Sequence, residues 1–215
     1  MTSTGTSVVP SGVASGALLL ADISGYTDFL DAVTTAHHDD LFGGGAVPAA
    51  YPLISTLLDG IIERLSPPFT LAKLEGDAVF AFATADELPD GAAILGCLSD
   101  CYAGFRAQLA HAGELWSCRC DACVRVGGLD LKFVLHAGSF VIQAIGGNRE
   151  LAGPDVVLAH RLLKNRATAV LGTRAYALIT TAAIQRLGVP VAGSTRLTEP
   201  MDGGRTVDAL AFPLA

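Results

Sequence analysis

The chain has 215 residues, of which 51% are hydrophobic and 16% charged, enough apolar material for the core of one domain of ordinary size. Its 14 Lys and Arg stand against 21 Asp and Glu, and the resulting net charge of −7 is opposite in sign to a surface that binds nucleic acid. The start of the chain lacks the basic segment of a secretory signal, and no apolar run reaches the roughly 18 residues of a membrane-spanning helix. We therefore expect a cytoplasmic protein without a nucleic-acid or membrane partner.

The first quarter of the chain alternates between polar and apolar segments. Residues 1–16 predict a disordered leader, so that one domain is expected over residues 17–215. The short apolar run 17–23 predicts a buried central strand, and apolar residues at helical spacing follow over 26–35. The two histidines, two aspartates and three glycines of residues 37–45 predict a flexible, solvated loop.

The rest of the chain predicts further helices joined by hairpins. Apolar residues three and four apart mark an amphipathic helix over 49–65. Strand-like runs at 69–74 and 78–83 flank the turn Glu75-Gly76-Asp77 and predict a hairpin. The later elements are predicted as a helix over 90–112, a Cys-rich loop over 116–125, a second hairpin from strands 129–136 and 139–145, helices over 153–164 and 173–187, and strands near Val189 and Val207. This order favours an α+β fold with an antiparallel-rich sheet and helices packed on one face.

Two acidic residues lie where turns expose them, Asp22 at the end of the first strand and Asp77 at the tip of the first hairpin. If these strands are neighbours, both carboxylates reach one edge of the sheet, where Mg²⁺ is held by one or two carboxylates together with phosphate oxygens. Backbone N–H groups of Ile23, Ser24, Gly25 and Tyr26, at the entry to a helix, suit a phosphate. The alternative from spacing alone is that Asp22 caps the helix and Asp77 is an ordinary turn residue.

The segments Asp22-Ile-Ser-Gly-Tyr26 and Lys73-Leu-Glu-Gly-Asp77 resemble two motifs of the adenylyl and guanylyl cyclase catalytic domains, whose fold is ferredoxin-like. The strand ending in His136-Ala-Gly138 and the segment from Glu150 to Arg161 continue the resemblance, which spans about residues 18–164. Within that family, the chain is most similar to a bacterial subgroup classed as a domain of unknown function. That subgroup carries Ile-Ser-Gly-Tyr-Thr, Lys-Leu-Glu-Gly-Asp, a Cys-x-Cys insertion and Glu-Leu-Ala-Gly-Pro-Asp-Val in this order.

The resemblance implies a role for each matching residue. Asp22 and Asp77 fall on the aspartates that bind Mg²⁺ or Mn²⁺, and Lys73 and Glu150 fall on the pair that recognises the purine. Arg161 falls on the catalytic arginine that binds the triphosphate in the transition state, a planar donor suited to growing charge. Val157 and Ala152 depart from the pattern, since the family has a ribose-binding Asn and a Trp at these positions.

The same resemblance implies a homodimer with composite sites at its interface and conversion of ATP to cyclic AMP and pyrophosphate. The competing interpretation is a catalytically degenerate protein that binds a nucleotide or regulates a partner on the same fold. Val157 favours the second interpretation, because its side chain cannot hold a ribose oxygen.

Cys118, Cys120 and Cys123 lie within a short segment, a density typical of zinc sites. A structural Zn²⁺ needs a fourth ligand, for which His111, Cys97 and Cys101 are the candidates. The alternative is a loop of reduced, exposed thiols. The odd total of five cysteines favours a reducing compartment over a disulfide framework.

Overall fold

A computed structural model describes residues 12–45, 47–115, 118–146 and 148–214, and its centre is one sheet. The strand order is β2-β3-β1-β4-β6-β8-β7, with β5 paired beside the end of β4. All neighbouring strands are antiparallel except β4 and β6, which are parallel. The strands are β1 (Gly12–Ser24), β2 (Thr70–Glu75), β3 (Ala78–Thr84), β4 (Asp130–Ile145), β5 (Asn148–Ala152), β6 (Tyr176–Thr180), β7 (Thr195–Pro200) and β8 (Thr206–Pro213).

Helices cover both faces of this sheet. They are α1 (Tyr26–Ala36), α2 (His38–Phe42), α3 (Ala50–Leu65), α4 (Gly91–Leu115), α5 (Pro154–Arg161), α6 (Ala167–Leu171) and α7 (Thr181–Leu187), with 3-10 helices at Cys123–Gly128 and Asp202–Gly204. None of these helices is both long and apolar enough to cross a membrane.

The side chains of β1 divide the interior into two cores, because successive residues of a strand point to opposite faces. Leu19 and its alternate neighbours pack with α1, α3, α4 and α7. Leu18 and Leu20 pack on the other face with Val156 and Ala159 of α5. The predicted α+β class with an antiparallel-rich sheet is confirmed, and one detail differs: α5 lies on the face opposite the longer helices.

Strand β1 begins at Gly12, so the predicted leader is wrong for residues 12–16. Gly16 pairs with Thr84 of β3 on one side and with Gly138 of β4 on the other. The glycines and alanines of this segment lack the apolar bulk that marks a strand in a sequence, although they suit close packing between two neighbours. Residues 1–11 of the predicted leader lie outside the described residues.

The predicted second hairpin is also wrong, because β4 runs unbroken through Ala137 and Gly138 and pairs with β1 along its length. Its hairpin partner is β5, which begins at Asn148, three positions after β4 ends at Ile145. Gly138 is needed within the strand, since a Cβ there would overlap the carboxylate of Asp155, which accepts a hydrogen bond of 2.7 Å from the Ser139 N–H.

The helix predicted over 173–187 divides into β6 and α7. All five residues of β6 are buried between β4 and β8, and a short, fully apolar run cannot be told from a helix by its periodicity. Thr180 starts the helix as its N-cap, its Oγ1 accepting a hydrogen bond from the Ala183 N–H. Val189 follows α7 outside any strand, whereas Val207 lies in β8 as predicted.

The two glycines of β1 offer a test of the sheet. A Cβ on Gly16 would overlap the carbonyl oxygen of Ala83 in β3, whereas a Cβ on Gly12 would meet nothing within 4 Å. We expect Gly16→Ala to lower the free energy of unfolding by about 1–3 kcal/mol, and Gly12→Ala to change it by less than about 0.5 kcal/mol. Equal effects in urea denaturation would contradict the pairing of β1 with β3.

Candidate functional site

The two aspartates singled out in the sequence line one cavity. Asp22 lies near the end of β1, opposite Ala78, the first residue of β3, and Asp77 immediately precedes that residue in the β2–β3 turn. The pairing of β1 with β3 therefore brings both carboxylates to the same edge of the sheet. They border an open cavity of about 350 Å³.

The two carboxylates differ in their surroundings. Asp22 Oδ2 lies 3.0 Å from Nζ of Lys132, which is its direct neighbour across the β1–β4 pairing. Burial and the nearby charge of Asp22 raise the pKa of Asp77 from 3.8 to about 6. Asp22 thus has a counter-ion within the chain, whereas a cation entering the cavity would stabilise the charged form of Asp77.

The opposite wall of the cavity suits an anion. Ile23, Ser24, Gly25 and Tyr26 line it where α1 begins, and the first N–H groups of a helix have no acceptor within the helix. Gly25 adopts the left-handed conformation there, with φ of 87°, and a Cβ at this position would lie 3.1 Å from Nη1 of Arg174. The glycine therefore lets a guanidinium approach the start of the helix.

Arg174 and Lys132 are site residues that the sequence did not reveal. Arg174 lines the cavity and donates from Nη2 to the carbonyl oxygen of Gly128 at 2.7 Å. Lys132 reaches Asp22 through strand pairing and Arg174 reaches the start of α1 through long-range packing. Lys132 belongs to the strand that ends in His136-Ala-Gly138, but nothing in that segment singled it out as a site residue. The register of β4 against β1 is the one signal that could have identified Lys132.

Lys73 and Glu150, which are 77 residues apart in sequence, lie together at the β2–β5 edge. Lys73 Nζ is 3.4 Å from Glu150 Oε2 and 3.0 Å from Glu75 Oε1, and the hydrogen bond with Glu75 is the main reason why the pKa of Lys73 is raised. Glu75 also lies 2.9 Å from Nε2 of His160, whose ring contacts Phe80 edge to face. The lysine is thus held charged between two carboxylates on the surface of the sheet.

Arg161 and Val157 border a second cavity, of about 420 Å³, beside α5. Arg161 Nη1 forms an ion pair of 2.9 Å with Asp202, and Val157 is 52% exposed. One helical turn separates the two residues, so both face this cavity. Neither residue lines the cavity of Asp22 and Asp77 in the same chain.

The three cysteines of the Cys-rich loop lie together, and His37 is their fourth neighbour. His37 Nε2 is 3.7 Å from Sγ of Cys118, 3.4 Å from Sγ of Cys120 and 3.4 Å from Sγ of Cys123. The four ligand atoms all lie within 4.8 Å of one another. A hydrogen bond from the Cys123 N–H is the main reason why the pKa of Cys120 is lowered to about 6, a shift that favours the thiolate form.

The fourth ligands considered from the sequence lie elsewhere on α4. Cys97 and Cys101 pack against α3, with their Sγ atoms 3.6 and 3.9 Å from the carbonyl oxygens of Arg64 and Ile61, and His111 is outside the cluster. The segment predicted as a solvated loop over 37–45 is largely exposed, as expected, but it is not a loop throughout, because α2 occupies residues 38–42. His37 joins the cysteines. Trp116 and Ser117 of the predicted Cys-rich loop lie outside the described residues.

Solved nucleotide cyclases share this fold. A bacterial light-regulated adenylyl cyclase superposes with a TM-score of 0.65 at 16% identity, over 94% of this chain and 53% of that one. The adenylyl cyclase CyaB from Pseudomonas aeruginosa gives 0.64 at 15% identity, over 94% and 95%. A class III adenylyl cyclase-like ATP-binding protein from the same species gives 0.58 at 14% identity, over 86% and 37%. The chain therefore has the fold of adenylyl and guanylyl cyclase catalytic domains, as its motifs predicted.

Within this fold class, the chain belongs to the family described as "Protein of unknown function (DUF2652)", whose model matches residues 54–170. It is also 36% identical over 115 residues to the uncharacterized protein Rv2561/Rv2562 of Mycobacterium tuberculosis. The matched segment covers 52% of this chain and 51% of that protein. The chain spans about half the length of this curated relative. The predicted bacterial subgroup is confirmed.

The raised pKa of Asp77 predicts how stability depends on pH. Well below pH 3.8, Asp77 is protonated in both the folded and the unfolded chain, whereas between pH 3.8 and about 6 folding increasingly opposes its ionisation. In buffer without divalent cations, Asp77→Asn should match the wild type at about pH 3 and exceed its stability at pH 7. We expect a gain of about 1–2 kcal/mol after allowance for solvent screening. A difference that is constant across denaturant titrations at both pH values would contradict the raised pKa.

Proposed function

We propose that this protein is a metal-dependent purine nucleotide cyclase that converts ATP to cyclic AMP and pyrophosphate at sites shared by two copies of the chain. The observation that carries the proposal is the single cavity lined by Asp22 and Asp77 together with Arg174 and the start of α1. Carboxylates facing a guanidinium and a helix N-terminus suit a divalent cation complexed with a polyphosphate.

The cavity suits Mg²⁺ or Mn²⁺ because two carboxylates, Asp22 and Asp77, line it together, and a cation between them would offset the repulsion that contributes to the raised pKa of Asp77. Asp22 and Asp77 would hold the ion, which when bound lowers the pKa of a reacting hydroxyl and neutralises a phosphate leaving group. Arg174 and the N–H groups from Ile23 to Tyr26 would bind the triphosphate. Lys132 would give up its contact with Asp22 as the ion enters.

Lys73 and Glu150 supply the complementary donor and acceptor that the edge of a purine requires. Arg161 would bind the triphosphate as charge grows in the transition state, in place of its ion pair with Asp202. Since none of these three residues lines the carboxylate cavity of its own chain, a second copy would supply them. A two-fold symmetric dimer would then contain two equivalent sites.

In the reaction, the ribose 3′ oxygen of ATP forms a bond to the α-phosphorus, and the bond from that phosphorus to the bridging oxygen of the β-phosphate breaks. The hydroxyl proton leaves to solvent, and pyrophosphate carries away the electron pair. The contribution of the chain is to hold the ribose and the triphosphate in line, which can supply several kcal/mol of a barrier.

A non-catalytic nucleotide-binding protein is the second candidate, and Val157 is the observation that favours it. This exposed side chain shares the cavity of Arg161 and offers no hydrogen bond at the position where the cyclase motif has an Asn. A structural relative is itself described as a cyclase-like ATP-binding protein. On this interpretation, ATP would bind to the same residues without turnover.

Mixing two inactive variants tests the shared site. With Mn²⁺ and ATP, Asp77→Asn and Arg161→Ala should each lose cyclic product almost completely, because each removes one half of both sites. Randomly exchanged dimers of the two variants should recover roughly a quarter of the wild-type rate, since half of the dimers are mixed and each has one intact site.

Asp202→Asn is the matched control for the mixing experiment, because it alters a partner of Arg161 and leaves the proposed contacts with ATP intact. No product from wild type with ATP or GTP, together with Mn²⁺-dependent stabilisation by ATP, would support the binding protein. If the wild type gave no cyclic product and ATP did not stabilise it, both candidates would be overturned.

Val157→Asn separates the two candidates directly. The introduced amide would face the cavity of Arg161 and could hold a ribose oxygen in attack geometry. We expect cyclic-product turnover to rise by roughly tenfold or more, with little change in ATP affinity, because the new hydrogen bond would strengthen mainly in the transition state. Val157→Thr, which keeps the β-branched shape, is the control in the same assay. An unchanged turnover in a folded, ATP-binding Val157→Asn variant would count against cyclisation.

A further inference from the structure

A second set of ligand side chains lies where the end of α1 meets the segment before β4, apart from the cavity of Asp22 and Asp77. We propose that His37, Cys118, Cys120 and Cys123 bind one structural Zn²⁺. Three thiolates and an imidazole form a complete set of soft, tetrahedral ligands, which favours Zn²⁺ over the oxygen-seeking ions expected at Asp22 and Asp77. With four protein ligands the site is closed, and a closed zinc site stabilises structure.

The spacing of the ligand atoms matches that ion. Zinc–sulfur bonds of about 2.3 Å and zinc–nitrogen bonds of about 2.0–2.1 Å at tetrahedral angles place nitrogen and sulfur about 3.6 Å apart. The three distances from His37 Nε2 to the sulfurs are 3.7, 3.4 and 3.4 Å. Simple hydrogen bonding does not account for this arrangement, because one ring nitrogen has either one hydrogen to donate or one lone pair to accept with, and three sulfurs surround it.

Neighbouring groups orient the ligands. Asp40 Oδ2 lies 3.2 Å from Nδ1 of His37, so a hydrogen on Nδ1 leaves the lone pair of Nε2 directed at the sulfurs. A carboxylate behind a ligating histidine is a common support of zinc sites. The Cys123 N–H donates to Sγ of Cys120 at 3.4 Å, which stabilises a thiolate. Asp40 follows His37 by three residues, and the turn of the short helix α2 brings its carboxylate next to the histidine ring.

The zinc site joins one segment that begins at the cavity of Asp22 and Asp77 and a second segment that contacts Arg174, a residue of its lining. His37 directly follows α1, whose first residues line that cavity. Cys123 begins the 3-10 helix that ends at Gly128, where the carbonyl oxygen accepts the hydrogen bond from Arg174. The ion would therefore fix both walls of the cavity relative to each other from a distance. This consequence concerns the cavity of the proposed function, whereas the zinc site itself does not depend on that function.

Metal analysis of protein purified under reducing conditions without chelators tests the proposal. We expect about one zinc per chain in the wild type, and loss of zinc in His37→Ala and Cys120→Ser. The matched controls are His38→Ala and Cys97→Ser, which remove the same residue types outside the ligand set and should retain the metal. His37→Cys keeps a zinc ligand at this position and should also retain it. Co²⁺ in place of zinc should give the visible absorption of a tetrahedral thiolate complex in the wild type.

Several results would overturn the site. The first is that the wild type contains no zinc although all five of its thiols are reduced. The second is that His37→Ala retains zinc, and the third is that His38→Ala loses it. If His37→Ala or Cys120→Ser fails to fold, zinc content and the cobalt spectrum of the wild type and His37→Cys still decide the question.

Hydrogen exchange tests the connection to the cavity without any nucleotide. Removal of zinc should lower amide protection in α1 and in residues 123–128 by at least about tenfold, and leave α7 unchanged. Equal protection with and without zinc would overturn this connection. Binding of ATP with Mn²⁺ is a separate measurement, so failure of the proposed function would leave the zinc content unchanged and would be recognised as such.

Discussion

The pairing of β1 with strands on both sides is the constraint on which the rest of the molecule depends. Because β1 lies between β3 and β4, its alternating side chains contribute to both cores, and its final residues have fixed neighbours. Asp22 is thereby placed beside the turn that carries Asp77 and opposite Lys132. The chain then leaves the sheet through Gly25 into α1. One register therefore determines the carboxylates, their counter-ion and the helix N-terminus together.

Local patterns predicted much of the fold and part of the lining of the candidate site, namely Asp22, Asp77 and residues 23–26. The run 17–23, the amphipathic helix α3 and the Lys73-to-Asp77 hairpin were visible in the sequence because neighbouring residues determine such elements. Elements determined by distant residues were missed. Strand β6 is buried because β4 and β8 flank it and one of the two cores covers each of its faces. Strand β4 continues through Gly138 because β1 pairs with it there. The partners His37, Lys132 and Arg174 were missed for the same reason, since no spacing along the chain relates them to the residues that they contact.

Three groups of residues that a cyclase reaction would use together lie at different places on one chain. The acidic cavity lies at the ends of β1 and β3, the Lys73–Glu150 pair at the β2–β5 edge, and Arg161 beside α5. One residue of each group has an ion-pair partner within the chain: Lys132 for Asp22, Glu75 for Lys73 and Asp202 for Arg161. A fold that keeps charged groups satisfied in this way can retain them whether or not the complete site turns over a substrate. The motif residues alone therefore do not show that this chain turns over a substrate.

The contact between Lys132 and Asp22 has a consequence for how the cavity is loaded. Two uncompensated carboxylates in a partly enclosed cavity would repel each other in the folded chain. Here a tethered ammonium group places one positive charge beside Asp22. Under the proposed function, loading of the cavity would then be an exchange of one cation for another in a scaffold that has already formed.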